Sequence, residues 1–306
     1  MIQKVILAGT QGSCAGVRMA IEALERLLER CGPPVYCYHQ VVHNRIVVER
    51  FEAQGVVFVD NVEDVPPSAP LLLSAHGSGP DVMEKARTRH GLVVDAVCPM
   101  VAKVHHELRT RAARGYRIVY VGHAGHDEVV GSLAHAPNVD LVERTEDVES
   151  LPIDGEPVAV LAQTTLAEHE WKGVVHAAER RFGHVWTAPR SDICFATTNR
   201  QRSIAELATV TDAVVVVGSP NSSNTAALVA AAARAGSPRV LRVEGPDELP
   251  ADLHGVVGVS SGASTPDDQL AAVVAALSPS GEFEVLPAIE EETVFPLPRE
   301  LRDPRR

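Results

Sequence analysis

Ile-Val-Tyr-Val-Gly-His-Ala-Gly-His, residues 118–126, is the stretch on which the fold turns. Its first residues are apolar without alternation, and the run stops abruptly at glycine and polar residues. A continuous β-branched run of this length suits a strand buried on both faces, and such strands belong to parallel sheets covered by helices. Working outward, the same pattern stands at 5–10, 71–77, 158–165, 214–219 and 256–264. Helical periods lie between these runs. Val17, Ile21, Leu24 and Leu28 fall at three- and four-residue steps and make one apolar stripe. Pro99 follows Cys98 and can take the first helical position, where its missing N–H is no loss. A further helix is predicted to start near Thr198 and run through Ile204, Leu207 and Ala208. Alternating strands and helices define an α/β protein. Ligands of open α/β sheets bind beyond the carboxyl ends of the strands, and every polar cluster here sits at such an end.

Composition narrows the function. The 306 residues suit two or three domains, at roughly 100–200 residues each. Lys and Arg number 28 against 40 Asp and Glu, a formal charge of −12, so no basic face exists to track a nucleic-acid backbone. The longest uncharged stretch, 213–233, is interrupted by Pro220, Asn221, Ser222, Ser223 and Asn224. It reads as strand, loop and helix rather than a membrane span. Met-Ile-Gln-Lys leads straight into a strand and does not resemble a signal peptide, so a cytoplasmic location is expected.

The cysteines are Cys14, Cys31, Cys37, Cys98 and Cys194, an odd number without a C-x-x-C pair. That argues against a disulfide framework, a zinc ribbon and a ferredoxin-type run. Cys14, Cys98 and Cys194 lie 84 and 96 residues apart, each just before a predicted helix. They divide the chain into three expected α/β domains, 1–97, 98–193 and 194–306, the last with a tail packing back on the body. Three thiolates without a fourth suit an iron–sulfur cluster with one open iron, which can act as a Lewis acid. Zinc on three thiolates and unrelated core thiols are the other readings. His43, His76 and His126, with Ser222, Ser223, Asn224 and Ser264, make a donor-rich anion site in which imidazolium, hydroxyl, amide and backbone N–H groups replace a Lys/Arg cluster. Glu128 stands two residues past His126, and Thr164 and Thr165 close another strand. An acid beside hydroxyls can form a proton relay, whereas the plainer reading is a solvated carboxylate in a helix's first turn.

The motifs that carry this chemistry resemble one family, the 4-hydroxy-3-methylbut-2-enyl diphosphate reductases of the methylerythritol phosphate route to isoprenoids. The resembling segments are Gly-Ser-Cys-Ala-Gly-Val (12–17), Val-Val-His-Asn-Arg (41–45), Ser-Ala-His-Gly (74–77) and Cys-Pro-Met-Val-Ala-Lys-Val-His (98–105). They continue with Gly-His-Ala-Gly-His-Asp-Glu-Val (122–129), Gln-Thr-Thr-Leu (163–166) and Asp-Ile-Cys-Phe-Ala-Thr-Thr-Asn-Arg-Gln (192–201). Asn-Ser-Ser-Asn (221–224), Gly-Ala-Ser (262–264) and the tail 291–302 complete the set in the same order.

The resemblance implies three similar α/β domains in a pseudo-threefold arrangement around a central [4Fe-4S] cluster, one per chain. Cys14, Cys98 and Cys194 match its ligands. His43, His76, His126, Ser222, Ser223, Asn224 and Ser264 match the diphosphate pocket. Glu128 matches the proton-donating carboxylate and Thr164 the hydroxyl that orients the substrate alcohol. The implied reaction is reductive dehydroxylation of the allylic diphosphate to isopentenyl and dimethylallyl diphosphate, with the alcohol on the open iron and electrons from reduced ferredoxin or flavodoxin. Gln11-Gly12-Ser13 stands where the family usually has Arg-Gly-Phe, and Val97 where it usually has Thr. Both departures adjoin cluster positions and leave room for a paralogue acting on a different allylic substrate. A zinc-dependent hydrolase using His123 or His126 with Glu128 is the remaining alternative, although a helical H-E-x-x-H is absent.

Overall fold

The computed structural model describes residues 1–189, 191–277 and 282–302. The chain begins with β1 (Ile2–Leu7) and α1 (Ala15–Cys31), followed by β2 (Val35–Tyr38), α2 (Arg45–Glu52), β3 (Val56–Val59), β4 (Leu71–Leu73), α3 (Pro80–Arg89) and β5 (Val93–Asp95). The middle holds α4 (Pro99–Ala113), β6 (Arg117–Val121), α5 (Asp127–Leu133), β7 (Val139–Val142), α6 (Thr145–Glu149), β8 (Val158–Ala162), α7 (Glu168–Phe182) and β9 (Val185–Trp186). Then come α8 (Phe195–Ala208), β10 (Ala213–Val217), α9 (Ser223–Arg234), β11 (Val240–Val243), β12 (Gly255–Ser261), α10 (Asp267–Leu277) and β13 (Glu282–Val285).

The strands form three sheets in the orders β11-β10-β12-β1-β13, β3-β2-β4-β5 and β7-β6-β8-β9, and every pairing is parallel. The unbroken apolar runs predicted this: β8 and β10 are buried at every position because helices cover both faces.

Two compact units carry these sheets. The first comprises Met1–Cys14, His43–Arg45 and Cys194–Thr293, and holds the five-stranded sheet. The second comprises Ala15–Val42, Ile46–Ile193 and Val294–Arg306, and holds both four-stranded sheets. The expected break between 193 and 194 falls where one unit gives way to the other, whereas 97/98 lies within the second unit. β1 pairs with β12 in the register Val5↔Val257, which buries Val5 fully and takes residues 1–14 out of the first expected segment. The break at 97/98 falls inside a hydrogen-bonded edge, since the Ala96 N–H donates to Leu73 O and the Cys98 N–H to Ala75 O. All three cysteines mark helix starts, and Cys14 and Cys194 also stand at the borders of the first unit, whereas Cys98 lies inside the second. Residues 278–281 and 303–306 of the third expected segment lie outside the described residues.

In the second unit, α1 lays Met19, Ala23, Leu24 and Leu27 on Cys37 and Leu72 of the sheet. Burying each leucine fully is worth about 1.5–3 kcal/mol. Phe295, Leu297 and Leu301 of the tail pack against this same core, and the Arg30 side chain donates to Glu300 O at 2.9 Å. Among the described residues, no helix is long and apolar enough to cross a membrane.

Candidate active site

In the first unit, Cys14 precedes α1 and Cys194 caps α8. The latter helix begins at Phe195, three residues before the predicted start at Thr198, because Cys194 serves as its cap: the Thr197 N–H donates to Cys194 Sγ at 3.3 Å. Asn224 fixes what lies around this sulfur. Its Oδ1 accepts the Ala263 N–H at 2.8 Å, which turns Nδ2 toward Thr197 Oγ1 at 3.3 Å. The Thr197 hydroxyl therefore accepts from Asn224 and lies 3.1 Å from Cys194 Sγ, to which it donates when that sulfur is a thiolate. The Ala263 carbonyl in turn accepts the Cys14 N–H at 3.0 Å. One hydrogen-bonded chain thus joins both cysteines of this unit to the Asn-Ser-Ser-Asn segment.

Ser222 caps α9 through Oγ, which accepts the Thr225 N–H, so Ser223 and Asn224 open that helix in buried positions. Ser264 donates to the His43 carbonyl at 2.8 Å and fixes the His43–Arg45 segment. The buried Asn44 holds it from the other side, donating to Gln269 Oε1 at 2.9 Å. The loop before Cys14 is held by Arg200, which is 1% exposed. This guanidinium donates to Gly12 O at 2.8 Å and pairs with Glu291 at 3.0 Å. Ser13, at the first departure from the family pattern, donates to Thr265 O at 3.1 Å.

The second unit carries His76, Cys98, His126, Glu128 and Thr164. Cys98 caps α4, with Pro99 in the first turn as predicted. His76 lies in the loop after β4, and its ring meets that of His126 edge-on at 5.9 Å. Glu128, in the first turn of α5, is only 2% exposed, so the solvated-carboxylate reading fails. Its Oε1 accepts the Thr164 N–H at 2.7 Å and its Oε2 the Thr164 hydroxyl at 3.0 Å. Burial pushes this carboxyl up to about 7, against the pull of both Thr164 bonds, and nearby Asp192 pushes the same way. With both oxygens turned to Thr164, Glu128 is poised for proton transfer rather than for a zinc ion.

One expectation about charge is corrected. Burial, then His123, pulls the His126 imidazole down to about 4, so at neutral pH it is not an imidazolium. The Glu128 N–H donates to His126 Nδ1 at 3.1 Å, which leaves the ring proton on Nε2. His126 offers an oriented neutral donor.

All five cysteines are unlinked by disulfides. Cys37 is buried in β2, and burial pushes its thiol upward; Cys31 is exposed at the end of α1. Only Cys14, Cys98 and Cys194 combine partial exposure with a helix start. Sequence reasoning did not single out Thr197, Arg200 or Asp192. The buried Asp192 accepts the Ala162 N–H at 3.2 Å and faces Lys103 of α4 at 3.4 Å, anchoring the end of β8 just before Thr164. A signal existed for Arg200, because a charged residue on the apolar stripe of a helix requires a partner.

Parallel α/β sheets with thiols at helix starts and a buried carboxyl–hydroxyl pair at a strand end are the features of an enzyme, and comparison with known proteins places the chain among the oxidoreductases. The family model described as LytB protein matches residues 5–278. A 4-hydroxy-3-methylbut-2-enyl diphosphate reductase of Acidothermus cellulolyticus is 43% identical over 98% of this chain and 90% of that protein. One from Tropheryma whipplei is 42% identical over the full length of both. The solved E-1-hydroxy-2-methyl-but-2-enyl-4-diphosphate reductase of Plasmodium falciparum superposes with a TM-score of 0.93 at 31% identity, covering 98% of this chain and 97% of that one. The chain belongs to the LytB family.

Proposed function

We propose that the chain reduces 4-hydroxy-3-methylbut-2-enyl diphosphate to isopentenyl and dimethylallyl diphosphate, with a [4Fe-4S] cluster held by Cys14, Cys98 and Cys194. The donor set fits: three partly exposed thiols at helix starts, one of them placed to accept two hydrogen bonds as a thiolate. When bound, the cluster supplies single electrons and one iron open to an oxygen ligand.

The chain's own residues do the rest. His43, His76, His126, Ser222, Ser223, Asn224 and Ser264 hold the diphosphate, His126 through its Nε2–H. Holding that end fixes the allylic chain, an orientation effect. Glu128 is the acid. Protonated, it donates to the Thr164 hydroxyl, which passes its own proton to the departing oxygen so that water leaves rather than hydroxide. Two electrons and two protons in all convert the C–O bond to C–H and release one water. We assign reduced ferredoxin or flavodoxin as donor and the cytoplasm as location; five unlinked thiols suit a reducing compartment.

The observation that carries this reading is the buried Glu128–Thr164 pair. Mössbauer spectra of anaerobically reconstituted, iron-57-labelled protein test it. A four-iron cluster with one site that shifts when the substrate is added is expected. An intact cluster blind to this diphosphate would favour a paralogue with another allylic substrate, and absence of any cluster would overturn the assignment.

A further inference from the structure

Two histidines with no part in the proposed chemistry lie stacked inside the second unit. His105 of α4 and His135, just past α5, have ring centroids 3.9 Å apart and planes 30° apart, and are 5% and 9% exposed. Arg109 Nη1 lies 2.9 Å from His135 Nδ1. A guanidinium has only donors, so Nδ1 must accept, and the ring proton stays on Nε2. From there it donates to the Ser78 carbonyl at 3.2 Å. His135 is thus fixed in one neutral tautomer. Burial keeps its partner neutral as well, pulling His105 down to about 3.

What this ring holds together matters. Ser78 is two residues past His76, in the loop between β4 and α3, whereas His135 follows the helix that opens with His126 and Glu128. Three glycines close the seam. Gly77, at φ +82°, lies so near His105 that a Cβ would stand 2.5 Å from its ring. A Cβ on Gly131 would stand 2.5 Å from the Gly77 carbonyl, and one on Gly79 would stand 2.6 Å from Ala134. Packing this tight brings loop and helix together, and two directional contacts set their register: the bond from His135 to Ser78, and the His76 Nδ1–Asp127 Oδ2 contact at 3.9 Å beside the ring that is to be placed.

We propose that His135, oriented by Arg109, is a positioning residue that sets His76 against His126 for diphosphate binding. This rests on the assignment of both histidines to the diphosphate. His135→Phe keeps the stack and removes both hydrogen bonds. His135→Gln keeps an N–H where Nε2 stood. Binding of inorganic pyrophosphate to the anaerobic, cluster-loaded enzyme, KM, kcat and Tm are measured for each, with His76→Ala alongside.

Losing one oriented bond should weaken pyrophosphate binding by roughly tenfold in His135→Phe. KM should rise more than kcat falls, and His135→Gln should recover most of the affinity at a similar Tm. If His135→Phe does not fold, Arg109→Met, which releases the tautomer but keeps the ring, carries the same expectation. Unchanged affinity in His135→Phe alongside loss in His76→Ala would overturn the positioning role. Unchanged affinity in His76→Ala would instead overturn the diphosphate assignment. Losses in the Phe and Gln variants that merely track a fall in Tm would reduce His135 to a packing residue and also overturn the proposal.

Discussion

Replacing Glu128 with glutamine separates what burying this carboxyl costs from what it does. The amide has the same shape: Oε1 can accept the Thr164 N–H and Nε2 can donate to Thr164 Oγ1, so both bonds survive. What changes is titration. Burial raises the carboxyl from 4.5 to about 7. At 1.36 kcal/mol per unit, the ionised carboxylate costs about 3 kcal/mol in the folded chain. The folded value lies above the unfolded one, so Glu128's contribution is intact below 4.5, where both states are protonated. It declines as pH rises and is gone above about 7, once the folded carboxyl also ionises. Glutamine has no such loss. Relative to the parent, Glu128→Gln should therefore gain about 3 kcal/mol between pH 5 and pH 9. Urea unfolding of the anaerobic protein reads this through Trp171 and Trp186, both in the unit that holds Glu128. The variant should bind substrate but not turn it over, and the parent's kcat should fall about tenfold per pH unit above about 7. Stability curves that run parallel from pH 5 to 9 would refute the account of Glu128 as a buried, desolvated acid.

Serine at Cys14, Cys98 or Cys194 should abolish bound iron, acid-labile sulfide and turnover alike, whereas Cys31→Ser, at an exposed helix end, should keep all three. Thr197→Val deletes the hydroxyl beside Cys194 Sγ and leaves the backbone donor in place. A donor stabilises the more negative, reduced state of a cluster, so redox titration followed by electron paramagnetic resonance should show a lower potential, and an unchanged one would count against the hydrogen bond. Arg200→Met strands Glu291 and the Gly12 carbonyl in the interior, and denaturant unfolding should show a loss of about 3–5 kcal/mol. A loss below about 1 kcal/mol would mean the pair is solvent-relaxed.

How much of this was legible in the sequence depends on where each signal is stored. A parallel strand covered on both faces is apolar at every position, so β8 and β10 announce themselves locally, as does β6 after its first residue, Arg117. The partner of a strand has no such local mark. Nothing in Ile2–Leu7 says that β12 and β13, roughly 250 residues on, will flank it, so the grouping of residues 1–14 with 194–293 has no local mark. The site divides the same way. Cysteine, histidine and a glutamate beside a threonine pair carry their chemistry in their residue type. Thr197 and His135 act only through partners that the fold supplies, so their types are mute, and Arg200 signals only that it needs a partner, not which one.

His126 shows why residue type alone misleads about charge. A histidine in an anion site reads as a cation, yet this one is buried and its Nδ1 is occupied by the backbone of Glu128. The bond that fixes the binding tautomer thus comes from the residue whose carboxyl is the proposed acid. In the proposed assignment, diphosphate binding and proton delivery share one turn of α5, and they should respond differently to change there. A side-chain replacement at 128 spares the N–H and leaves the His126 tautomer alone. Proline at 128 removes that N–H and frees Nδ1 to take the proton, so it should weaken diphosphate binding where Glu128→Gln does not.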